Sequence, residues 1–96
     1  MREPREIIRR PIITERSTAL QGMSNQYVFE VDRGANKHEI ARAVKLLFDV
    51  TVLNVRTLRV KGKPKRLGVF SGRRPDWKKA IVTLKEGDRI EVFEEV

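Results

Sequence analysis

Residues Lys61–Lys79 read KGKPKRLGVFSGRRPDWKK, and how this stretch is taken decides the fold. It lies between two apolar, β-branched runs, TVLNVRTLRV at 51–60 and AIVTL at 80–84, and each of these reads as a strand. The stretch itself holds Pro64 and Pro75 and shows no helical periodicity, so it does not read as a crossover helix. The flanking strands therefore form an antiparallel hairpin. Its connection far exceeds the two to five or so residues usual for a hairpin, and it is expected to project from the sheet as an extended basic finger.

Charge singles out the same residues. Lys61, Lys63, Lys65, Arg66, Arg73, Arg74, Lys78 and Lys79 face one acid, Asp76, which leaves a surplus of seven positive charges in a chain whose net charge is +8. The remainder of the chain is close to neutral. A field concentrated in this way points to a polyanionic partner rather than to general solubility. Leu67, Val69, Phe70 and Trp77 set apolar and stacking surfaces among the cations, and Gly62, Gly68 and Gly72 allow turns and close backbone approach. That combination suits nucleic acid.

Composition removes several alternatives. Ninety-six residues, 40% of them hydrophobic, are enough for one modest core, so a single domain over 1–96 is expected. Without cysteine there are no disulfides, thiolate metal sites or thiol nucleophiles, and the lone His38 cannot build a metal cluster. No cofactor is expected. Nor is a catalytic set to be found: Ser17 and Ser71 have no base near them in sequence, and no phosphate-loop motif is present. No run of about eighteen apolar residues suggests membrane insertion, and a cytoplasmic location follows by default.

Along the chain, EIIRRPII at 6–13 reads as a short edge strand broken by Pro11, with Arg9 and Arg10 facing either solvent or phosphate. TERSTAL at 14–20 reads as a short helix with a hydroxyl cap, Glu15 at its positive end and Gly22 as its stop. QYVFEVD at 26–32 alternates as a strand with its aromatic face inward. Asn36 followed by Glu39 predicts a capping box, opening a helix whose apolar face is Ile40, Ala43, Val44, Leu47 and Phe48. Lys37 lies beside that helix start. In 51–60 the alternation changes phase, which predicts a twist or bulge near Arg56. The acidic end, 86–96, reads as a turn with one short strand at most.

The predicted class is α+β, in the order β-α-β-α-β-β, with a mostly antiparallel four-stranded sheet packed with helices. A right-handed crossover makes the strands at Tyr27 and Thr51 parallel, and the last strand pairs antiparallel with either or lies between them.

Four segments carry a resemblance: RRPIITERS near the start, KHEIARAVKLLFDVTVLNVRTL through helix and strand, the finger, and KKAIVTLKEGDRIEVF at 78–93. Together they resemble the bacterial large-subunit ribosomal protein twenty-three family over nearly the whole chain. The resemblance implies binding to large-subunit ribosomal RNA beside the polypeptide exit tunnel, with the finger along the tunnel wall and the nascent polypeptide passing it. It also implies contact with neighbouring ribosomal proteins and a docking place for trigger factor and the signal recognition particle. Glu15 matches the acidic position offered to chaperones. The finger cations named above match RNA-contacting positions, and with Arg9, Arg10 and Lys37 they form the candidate RNA-binding set. Trp77 joins it, either stacking on a base or packing beneath the finger.

Two rivals have less support. A free-standing RNA-binding module of the aromatic-platform type would need paired ring residues, which KGKPKRLGVF lacks. A binder of acidic membranes would place its cations on an amphipathic helix, not on a proline-broken loop.

Overall fold

The computed structural model describes residues 3–62, 64–67, 70–73 and 76–90, the two short segments at backbone level only. The chain opens with a single helical turn, α1 (Pro4–Ile7), then β1 (Ile8–Pro11). The sequence predicts an edge strand that starts from Glu6 and is ended by proline; the strand does end at Pro11, but Glu6 and Ile7 lie in the helical turn. Pro4 starts that turn, where its missing N–H costs nothing and its φ is already helical. The strand that remains, β1, is an edge strand, as expected.

Helix α2 (Glu15–Ser24) is capped by the Thr14 hydroxyl, which accepts from the Ser17 amide at 3.1 Å while Ser17 Oγ accepts from the Thr14 amide at 2.7 Å. It runs past the expected stop. Gly22 lies inside the helix, and the chain turns at Asn25, whose φ of 51° is left-handed. Asparagine tolerates that conformation, and here its side chain is held as well: Nδ2 donates to the carbonyls of Lys85 (3.0 Å), Asp88 (3.2 Å) and Leu84 (3.4 Å). One residue thus ends a helix and ties it to the far end of the sheet.

Strand β2 (Gln26–Val31) leads by a turn to α3 (Lys37–Phe48). The expected capping box is present: Asn36 Oδ1 accepts from the Glu39 amide at 2.8 Å, and Glu39 Oε1 accepts from the Asn36 amide at 3.3 Å. Strand β3 (Val52–Val60) enters the basic stretch, where β4 (Pro64–Leu67) and β5 (Phe70–Arg73) form a two-stranded ladder of their own, and β6 (Trp77–Leu84) returns.

The main sheet has the order β1-β2-β6-β3 with every pairing antiparallel, so β6 lies between β2 and β3, which run parallel to each other without touching. Of the two placements open to the last strand, the inner one is realised. The β3 irregularity falls between Val52 and Asn54, not near Arg56. Leu58 and Val60 are out of phase with Val55 because they occupy the opposite face of a continuous strand, and Leu58 is exposed there.

One face of the sheet carries Tyr27, Phe29, Val31, Val55, Ala80, Val82 and Leu84, against which α3 packs Ile40, Ala43 and Val44. The rings of Phe29 and Phe48 stack at 5.6 Å between centroids. Beyond the sheet, Ile90 is buried and its amide donates to the Tyr27 hydroxyl at 3.3 Å. Residues 91–96, where a last short strand was expected, lie outside the described residues.

Candidate nucleic-acid interface

The basic stretch leaves the sheet at the end of β3 and returns at the start of β6. Its neck is pinned by its only acid, since the Gly62 amide donates to Asp76 Oδ1 at 2.9 Å across fourteen residues. Asp76 is thus a structural staple in a cationic segment. Beyond the neck, β4 and β5 pair in the register Pro64↔Arg73, Lys65↔Gly72, Arg66↔Ser71 and Leu67↔Phe70. The finger is therefore a hairpin with its cations set along two rails. Lys65, Arg66 and Arg73 belong to those rails, whereas Lys63 and Arg74 lie outside the described residues, as do Gly68 and Val69.

The other candidates divide into three groups. Arg9 and Arg10 on β1 face the neck, and with Arg33 and Lys61 they surround Trp77 and Val60 in a hollow of about 630 Å³. Arg9 reaches Asp32 at 3.6 Å and Arg10 reaches Glu30 at 3.4 Å, with side chains 59% and 72% exposed. Bridges so exposed contribute only about 0–1 kcal/mol, so either guanidinium can exchange its carboxylate for a phosphate at little cost. Trp77 is half-buried and takes no part in the hydrophobic core.

Lys78 and Lys79 point to opposite faces of β6. Lys78 shares the face of Ala80 and Val82, and its ammonium donates to the Ala35 carbonyl, so it anchors the turn before α3 to the central strand. Lys79 lies on the other face, between Glu30 of β2 and Leu58 of β3. Lys37 is exposed in the first turn of α3.

Glu15 stands apart from all of these. It is exposed as the first residue of α2, in a shallow hollow with Ile13, Thr14 and Ala19. Its exposed neighbour Ile13 is apolar, and this hollow lacks the cations of the hairpin neck.

Arg33 was absent from the sequence-derived set. Its neighbour Asp32 cancels its charge in a linear reading, and only the β2–α3 turn brings it to the neck. Among the described residues no group of His, Cys, Asp and Glu could hold a metal ion, and no helix is long and apolar enough to cross a membrane.

Residues 6–92 match the family model described as ribosomal protein L23. The chain is 57% identical over 96 residues to the large ribosomal subunit protein uL23 of Heliobacterium modesticaldum, covering 100% of both. It is 57% identical over 91 residues to that of Desulfatibacillum aliphaticivorans (95% of this chain, 96% of the relative). With the uL23 of Pelotomaculum thermopropionicum it shares 52% over 94 residues, 98% of each.

Proposed function

The chain belongs to the ribosomal protein L23 family, and from that premise we propose that its basic hairpin lies against large-subunit ribosomal RNA while the sheet and helices seat it on the particle. As a member of that family it is a constituent of the large ribosomal subunit, at work on the cytoplasmic ribosome, and not an enzyme. The observation that carries the RNA reading is the surplus of seven positive charges in 61–79, held on a hairpin whose one acid is spent on its own neck. Arginines there meet phosphate oxygens through two N–H groups at once, and lysines act as point charges. Lys61, Lys65, Arg66, Arg73 and Lys79, with Lys63 and Arg74, supply the phosphate contacts; Arg9, Arg10 and Lys37 extend them over the body. Lys78 has a structural bond to Ala35 and contributes its charge from that fixed position.

The finer reading places the hairpin along the wall of the exit tunnel, where the nascent polypeptide passes, with neighbouring ribosomal proteins against the body. Large subunits assembled without this protein and then supplied with it test the reading. The chain is expected to co-sediment with them, and a hairpin-deleted chain with an intact Asn25 clamp is expected to remain in the light fractions. Equal co-sedimentation of the two would remove the hairpin from the interface.

Glu15 and its apolar neighbours form the docking place for trigger factor and the signal recognition particle. Glu15→Arg is expected to cut crosslinking of trigger factor to ribosomes about tenfold, the worth of one lost charge-assisted contact, while incorporation into subunits is unchanged. Undiminished crosslinking would place the docking site elsewhere.

A further inference from the structure

We propose that the hollow at the hairpin neck is a pocket for one unstacked nucleotide of single-stranded RNA, with the Trp77 indole as its stacking platform and Arg9, Arg33 and Lys61 as its phosphate clamp. The proposal rests on the RNA-binding reading and goes beyond it, because contact along a phosphate backbone requires no pocket.

Shape is the first argument. At about 630 Å³ the hollow is in the size range of sites that enclose a small molecule, about 300–1,000 Å³. A base inside a duplex cannot enter a concavity; a base turned out of the stack can. The second argument is the state of Trp77. Trp77 is half-buried, outside the core cluster and on the lining of the hollow, at the start of β6, with Val60 directly across the ladder. The wall of the hollow thus carries an aromatic residue beside an apolar one, the combination that base stacking uses.

Charge supplies the third argument and chooses between occupants. Arg9, Arg33 and Lys61 ring the hollow, so its ligand is anionic. The two carboxylates on its lining, Glu30 and Asp76, are engaged by Arg10 and by the Gly62 amide, and Arg9, Arg10, Arg33 and Lys61 outnumber them. An anion that also brings a flat ring to Trp77 is a nucleotide and not an acidic peptide.

Trp77 is the only tryptophan in the chain, so its emission reports on this pocket alone. The intact protein is titrated with a labelled single-stranded RNA hexamer, a labelled blunt RNA duplex and a polyglutamate peptide, following label anisotropy for RNA binding and tryptophan emission for occupancy. The hexamer is expected to quench Trp77 saturably, while the duplex raises anisotropy and leaves the emission unchanged. Trp77→Leu is expected to weaken hexamer binding about tenfold and leave duplex binding intact. Should that variant fold poorly, the exposed Arg33→Ala is expected to move the quenching midpoint to higher hexamer concentration.

Hexamer binding without quenching, equal quenching by hexamer and duplex, or a response to polyglutamate as large as that to RNA would each overturn the pocket. The RNA reading would survive those results. If neither RNA raises the anisotropy, both readings fall.

Discussion

Replacing Arg73 and Arg74 together by glutamate is expected to weaken binding to large-subunit ribosomal RNA by about 3 kcal/mol or more at low salt, since each arginine gives up a charge-assisted contact of about 1.5–3 kcal/mol and each glutamate adds repulsion. Salt dependence makes the test specific. Each neutralised phosphate contributes about 0.7–0.9 to the slope of log affinity against log salt, so the double variant is expected to show a slope shallower by about 1.5. The two affinities should converge as salt rises. Parallel slopes would mean that these arginines never met phosphate. The charge surplus of the hairpin makes this the most sensitive place on the molecule for a charge reversal.

The second large effect lies in the core. Phe29 is 1% exposed on β2 and stacks on Phe48 of α3, so it joins the sheet to the helix that covers it. Phe29→Ala removes both the buried ring and its aromatic partner, and a loss of about 3–5 kcal/mol is expected by urea unfolding. Small domains have total stabilities of about 5–15 kcal/mol, so the variant should be largely unfolded at modestly raised temperature. A loss below about 1 kcal/mol would mean that the site collapses around the deletion, contrary to the close packing of Ile40, Val44 and Val82 in the same cluster.

How far the sequence could be read varies with how local the determining interaction is. Asn36 and Glu39 satisfy each other's amides within four residues, so the start of α3 was legible, as was the hydroxyl cap at Thr14. The end of α2 was not. Gly22 is the stronger generic stop, but Asn25 takes the role because three carbonyls about sixty residues away hold its side chain. Register around β3 went astray for a related reason: the outward face of the strand is also apolar, which mimics a change of phase.

The candidate site followed the same rule. Its cations could be counted from composition, but their fates depended on alternation and on turns. Lys78 shares the phase of Ala80, and counting back two residues from that core alanine would have placed it inward, toward Ala35. The staple between Gly62 and Asp76, and the arrival of Arg33 beside Trp77, depend on pairings that no local pattern encodes.

The position of β6 affects how the protein itself is made. It is the last of the described strands along the chain, yet it occupies the interior of the sheet, and β2 and β3 share no hydrogen bonds without it. A nascent chain that stops short of Trp77 therefore holds at most the β1–β2 pair of the main sheet, with β3 unjoined to it, and the four-stranded sheet cannot be completed by adding strands in the order of synthesis. Folding waits for β6 and then proceeds in one cooperative step, as expected of a topology dominated by distant pairings. Until that moment the unfinished chain is open to proteolysis and to capture by chaperones.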